Sequence, residues 1–235
     1  MSQSPKLQAL QQSITIHIVD QQLLLNAFVH RSYLNEHRTF PLPSNEKLEF
    51  LGDSVLSLIT SVYLFRNYPQ LHEGDYTEIK ASIVKTSSLA DAARALDLGS
   101  CLLLSKGEER GGGRDNTNLL ADCFEALIAA IFLDRGFDAA FDFVCMHLFG
   151  TKLDEVIQNN AYHSNKSQLQ EFVQATRKVT PIYKTLKEDG PEHNRVFTIQ
   201  VSVAGRAVGM GVGRSKKEAE ELAAEQALSA LGDSK

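Results

Sequence analysis

Residues 119–136, LLADCFEALIAAIFLDRG, are apolar on every side of a helix. A helix apolar all round has to be buried. Asp122 and Glu125 nevertheless sit in its middle. They are three residues apart and therefore share one side. Burying two like charges is costly unless something neutralises them, and no Lys or Arg lies within a turn of either. A divalent cation would neutralise them. A thin solvated stripe, or a distant Arg, is the alternative that this helix alone leaves open.

A second segment bears on that choice. NEKLEFLGDSVLSLI (45–59) reads as a helix over 46–66, capped by Ser44 or Asn45 after the FPLPSN break and stopped near Pro69. Glu46, Glu49 and Asp53 fall within about 60° of one another around it, with Leu48, Leu51, Val55 and Ile59 opposite. By itself this is an ordinary solvated acidic stripe. However, no base occupies the i+4 positions that usually relieve one. If the two acidic faces meet, four or five carboxylates converge. Hard oxygen ligands of this kind suit Mg²⁺ or Mn²⁺, and such a site can activate a water against a phosphodiester.

The charge of the chain is unevenly spread. The 235 residues carry a net charge of −5, but residues 1–160 hold −7 and residues 161–235 hold +2. That suggests two modules with different tasks. Up to about residue 157 the pattern is helical: 1–40 (with 23–36 apolar at helical intervals), 46–66, 76–96, 119–136 and 138–157, with HEGDYTE and the Gly-rich stretch 97–118 as loops. QNNAYHSN (158–165) reads as a polar linker. From Lys166 the order is helix, three alternating strands, helix. In the last helix Ala219, Leu222, Ala223, Ala227, Leu228 and Leu231 share a face. The expected organisation is an all-α domain over 1–157, a linker over 158–165 and a small α+β (α-β-β-β-α) domain over 166–235. No membrane-spanning run or secretory leader is read from the sequence, and Cys101, Cys123 and Cys145 match neither a disulfide scaffold nor a zinc site. The expected compartment is the cytoplasm.

NEKLEFLGDSVL (45–56) resembles the signature of the ribonuclease III family. AFVHRSYLN (27–35), FRNYPQLHEGDYTEIKASIV (65–84) and GGGRDNTNLLADCFEALIAAIFLDRG (111–136) resemble the same family, in order and at the expected separations. The resemblance implies a ribonuclease III catalytic domain that cuts double-stranded RNA. It implies Glu49, Asp122 and Glu125 as magnesium ligands and Asp53 and Glu125 as catalytic residues, with Glu46 and Glu73 as supporting acids. Mg²⁺ is the implied cofactor, with Mn²⁺ as a substitute. The implied products are 5′-phosphate and 3′-hydroxyl ends with a short 3′ overhang. A homodimer with one strand cut per subunit follows from the family, and the apolar excess over 48–65 is compatible with it. Precursors of ribosomal RNA and some messenger and transfer RNAs are the implied substrates. A non-catalytic double-stranded-RNA-binding protein retaining the fold is the competing reading, disfavoured because all four central acids are present.

Residues 166–232 resemble a double-stranded-RNA-binding domain, a fold that reads A-form shape through phosphates and 2′-hydroxyls. Its contact positions match Ser167, Gln170, Glu171 and Gln174 on the first helix and Pro191 and His193 between the first two strands. Arg214, Ser215, Lys216 and Lys217 match at the start of the last helix, where the helix dipole also favours phosphate. The remaining histidines, His30 among them, read as structural. GEERGGGR (107–114) lacks the spacing of a nucleotide loop, so no nucleotide cofactor is expected; it reads as a flexible segment.

Overall fold

The computed structural model describes residues 5–150, 152–159, 162–191 and 195–232. They fall into two units, Met1–Asn159 and Asn160–Lys235. In the first unit the elements are α1 (Pro5–Ser13), α2 (Gln21–Asn26), α3 (Arg31–Glu36), α4 (Glu46–Asn67), α5 (Glu73–Ile83), α6 (Thr86–Ala95), α7 (Leu98–Cys101), α8 (Lys106–Arg110), α9 (Thr117–Val144) and α10 (Lys152–Gln158).

The all-apolar segment is the axis of this unit. Cys123, Phe124 and all six residues of 126–131 are wholly buried. Asn116 caps the helix, its side chain accepting from the backbone N–H of Asn118 and Leu119 at 2.9 and 3.3 Å. α4 and α6 pack against it, with Leu56, Ile59, Ala90 and Ala93 wholly buried. α4 comes closest at Gly52, where a Cβ would stand 1.9 Å from the carbonyl oxygen of Glu125. Only glycine allows the two backbones this approach.

Several boundaries differ from expectation. The stretch 23–36 is two short helices, because Phe28 and Val29 are drawn wholly into the core. The backbone there pairs with Leu103: its N–H donates to Phe28 O at 2.8 Å and its carbonyl accepts from His30 N–H at 3.2 Å. The helix expected over 76–96 starts earlier, at Glu73, and breaks where Lys85 is extended. The stretch 97–118 is not a loop but α7, α8 and a 3₁₀ turn over Gly113–Asp115. Arg114 organises it, donating from Nη1 to the carbonyls of Gly99, Ser100 and Leu102 at 2.8, 3.2 and 3.0 Å. Gly136 adopts φ 82°, ψ −177° and interrupts α9, but the chain resumes its helix to Val144. The helix expected over 138–157 is therefore the end of α9, a π turn over Cys145–Phe149, a break at Gly150 and α10.

The second unit contains α11 (Asn165–Arg177), β1 (Ile182–Asp189), β2 (Val196–Val203), β3 (Arg206–Gly213) and α12 (Lys216–Gly232). The sheet is antiparallel in the order β1-β2-β3. Ile199, Val201 and Val203 turn one face of β2 inward, with Leu169 and Val173 of α11 buried in the same unit. On β3 the same face is Gly209, Gly211 and Gly213, and a Cβ on any of them would meet the α12 backbone at 2.3, 2.1 and 2.7 Å. So close a helix needs small residues. Ala219, Ala223, Ala224 and Ala227 are buried, whereas Leu222, expected on the packed face, is 39% exposed.

Candidate metal centre

Glu49 projects from α4, and Asp122 and Glu125 project from α9, around the Gly52 crossing. One carboxylate oxygen from each lies within 4.8 Å of the other two. The local sequence explains the meeting. Glu49 and Asp53 flank Gly52, so the point of closest backbone approach carries acids on either side.

The electrostatics are those of like charges sharing a partly dry site. Burial, and then the charges of Asp53, Glu49 and Asp122, push the Glu125 carboxyl up to about 8. Burial first, then Asp122, Glu46 and Asp53, raise that of Glu49. Burial also raises Asp122; Glu46 adds to this, while His30 opposes it. Among the described residues whose charges act on these three carboxyls, His30 is the one that can carry positive charge. Three hard oxygen donors that repel one another and lack a base fit a hard divalent cation.

The other acids stand further out. Asp53 is exposed at the edge of the cluster, where its charge acts on Glu49 and Glu125. Glu46 is exposed, accepting from Ser44 Oγ at 2.7 Å and lying 3.7 Å from the Arg31 guanidinium. Glu73 begins α5, exposed, and accepts from Thr77 Oγ1 at 3.3 Å. It is not among the charges acting on the three central carboxyls. Two residues beside the cluster were not read from the sequence as part of it. His30 caps α3, and Glu108, in the first turn of α8, acts on His30 together with Asp122 and Glu46. Neither left a periodic signal; Glu108 lies in the stretch taken for a loop.

In the second unit Gln170, Glu171 and Gln174 are exposed on α11, with half-buried Ser167 at its start. The first turn of this helix is tied to α12: Asn165 N–H donates to Glu221 at 2.8 Å and Lys166 pairs with Glu220 at 2.6 Å. Those ties hold the first turn of α11 against the second turn of α12. Ser215 caps α12 by accepting from Glu218 N–H at 3.1 Å. Arg214 and Lys217 are exposed, as is Pro191. Lys216 pairs with Glu188 at 2.9 Å and lies over the Phe197 ring. His193 lies outside the described residues.

Residues 20–152 match the family described as Ribonuclease-III-like, and residues 165–231 match the double-stranded RNA binding motif. The chain is 48% identical over 221 residues to Ribonuclease 3 of Bacillus velezensis, covering 94% of this chain and 88% of that one. It is 44% identical over 225 residues to Ribonuclease 3 of Oceanobacillus iheyensis, covering 96% and 98%. Among solved structures it is similar to the nuclease domain of ribonuclease III from Campylobacter jejuni, at 37% identity and a TM-score of 0.55 over 61% of this chain and 94% of that one. That structure is described as showing flexibility in a region involved in dimer formation.

Proposed function

Because the chain belongs to the ribonuclease III family, we propose that Glu49, Asp122 and Glu125 hold the divalent cation of its nuclease centre, with Asp53 working beside them. The protein is an endoribonuclease that cleaves double-stranded RNA, and it acts as a homodimer. Its activity depends on metal. Mg²⁺ is our assignment for the ion, with Mn²⁺ as a substitute, because all three donors are carboxylate oxygens.

A bound divalent cation supplies charge neutralisation at the scissile phosphate and a water acidified enough to attack it. The residues of the chain do the rest. Glu125, whose proton burial and neighbouring acids favour, would release it to solvent and hold the ion as a carboxylate. Glu49 and Asp122, on two packed helices, fix the other donor positions. Asp53, at the open edge, would accept at its carboxylate the proton that the attacking water gives up. In-line hydrolysis without a covalent enzyme intermediate leaves 5′-phosphate and 3′-hydroxyl ends. Each subunit cuts one strand and leaves a short 3′ overhang. Glu46 and Glu73 stay in supporting roles.

We assign the nuclease to residues 1–157, a linker to 158–165 and RNA binding to 166–235. The stripe Ser167, Gln170, Glu171, Gln174 and the cluster Arg214, Ser215, Lys216, Lys217 hold the duplex, with His193 as a further contact. For the dimer we assign the exposed side of α4, where Phe50, Leu58 and Phe65 are 76, 53 and 74% exposed at spacings that align them. By length and hydropathy alone α4 could also cross a membrane. One face buried against α9 and the other against a second copy accounts for the same composition. We assign the protein to the cytoplasm, in keeping with three free thiols, and ribosomal, messenger and transfer RNA precursors as substrates.

The observation that carries this reading is the convergence of the three carboxylates to within 4.8 Å. Incubating the protein with a long perfect RNA duplex tests it. Cutting in Mg²⁺ or Mn²⁺ that stops with chelator is expected. Binding without cutting in either metal would leave a non-catalytic double-stranded-RNA-binding protein.

A further inference from the structure

Lys80, on α5, is a half-buried cation, and its own helix does not neutralise it. The residues three and four positions away are Tyr76, Thr77, Ile83 and Val84. Glu78, two residues back, faces another side of the helix. Glu73 and Asp75 lie in the first turn of α5, where Glu73 accepts from Thr77 and Asp75 accepts from His72 N–H at 2.8 Å. Among the described residues Lys80 makes no ion pair. Its Nζ donates instead to Ser57 Oγ, across on α4, at 2.5 Å. A hydroxyl satisfies one of the three ammonium protons and leaves the charge unanswered.

Ser57 belongs to the acidic side of α4. At about 100° per residue it lies about 40° around the helix from Asp53 and about 80° from Glu49. Asp53 is its neighbour one turn back, about 6 Å along the axis. The bond to Ser57 therefore sets the ammonium beside the line of acids, one turn beyond Asp53, and not in an ion pair with it. This stretch of α4 is open, with Asp53, Ser54 and Ser61 exposed. A fixed positive charge next in line to a cluster that holds a cation fits a ligand with negative charges in series. An RNA strand is such a ligand: with one phosphate at the ion, the next along the backbone still carries its full charge. A lysine meets a phosphate as a point charge.

We propose that Lys80 binds the backbone phosphate adjacent to the one being cut, and that Ser57 aims its ammonium there. This rests on the metal-centre and double-stranded-RNA reading above.

Three variants test it. Lys80→Met keeps the apolar stem and drops the charge, Lys80→Gln drops the charge but keeps an N–H donor, and Lys80→Arg keeps the charge. Binding of a perfect RNA duplex is followed in chelator, so that nothing is cut. Loss of the charge is expected to lower the slope of log K against log salt by about one per subunit, and Lys80→Arg to restore it. A second series of duplexes carries a single neutral methylphosphonate, walked along the phosphates on either side of the cut. Beside the cut, one position is expected to weaken the parent and Lys80→Arg by about ten-fold and to leave Lys80→Met and Lys80→Gln unaffected. Melting temperature and sedimentation are expected to stay parental. A parental slope in the neutral variants, or methylphosphonate losses equal to the parent's at every position, would overturn the inference. Monomers in the neutral variants would overturn it by giving the ammonium to an acid of a second copy, and failure of both to fold would make Lys80 structural. A parent that binds no duplex would overturn the RNA reading itself.

Discussion

The Glu125 carboxyl gives this protein one response to pH. Its proton is held up to about 8, against 4.5 for an ordinary glutamate, and Glu49 and Asp122 are shifted in the same direction. Between those two values the unfolded chain has already lost its proton while the folded one keeps it. The folded state binds more protons there, so stability falls as pH rises through the window. Ligation requires deprotonated acids, so added metal should restore most at the alkaline end. Thermal unfolding at pH 5, 6.5 and 8, with chelator and with Mg²⁺, checks this. The contribution of these acids predicts a metal-free melting temperature lowest at pH 8 and a Mg²⁺ effect largest there; the reverse order contradicts it. Arg114 carries a second prediction at this scale. Arg114→Ala strips three carbonyls of their shared donor, which should cost about 1.5–3 kcal/mol of stability by denaturant unfolding. Nothing local announces that role. Arg114 stands in a glycine-rich, mixed-charge run, and its acceptors lie 12 to 15 residues back.

Among the elements, the crossing of α4 and α9 decides the geometry of the centre. Gly52→Ala forces a Cβ into the Glu125 carbonyl. Overpacking of this kind costs about 1–3 kcal/mol and should move α4 away from the ligands on α9, so both melting temperature and Mn²⁺ affinity should fall; a fall in neither removes the crossing from the account. The acids themselves were legible in the sequence. Asp122 and Glu125 stand out because every neighbour on their helix is apolar, and Glu49 and Asp53 because no base relieves them. Gly52 was not legible, since a glycine one residue from Asp53 gives no sign of what it will face. Short-range periodicity also overran real breaks: Phe28 and Val29 fit a helix in 23–36 until the pairing with Leu103, some 75 residues on, pulls the backbone straight. In α12 the alternating glycines of β3 choose alanine over Leu222, again a contact between distant segments.

For the whole molecule, the proposed function brings two chains and a duplex together. Phe65→Glu puts charge into the exposed stripe of α4. It should yield monomers in analytical ultracentrifugation, and an intact dimer would move the interface elsewhere. Lys217→Ala should weaken duplex binding and lower the slope of log K against log salt by about one; an unchanged slope takes Lys217 off the phosphate path. The division into an acidic helical module and a basic α-β-β-β-α module could be read from charge and periodicity, since both are averages over many residues. The measurement that bears most directly on the central claim compares Glu125→Gln with the parent on one RNA duplex in Mg²⁺, following binding and cutting together. Duplex affinity close to that of the parent is expected, with cutting reduced by several orders of magnitude. Cutting by Glu125→Gln at a rate near that of the parent would contradict it.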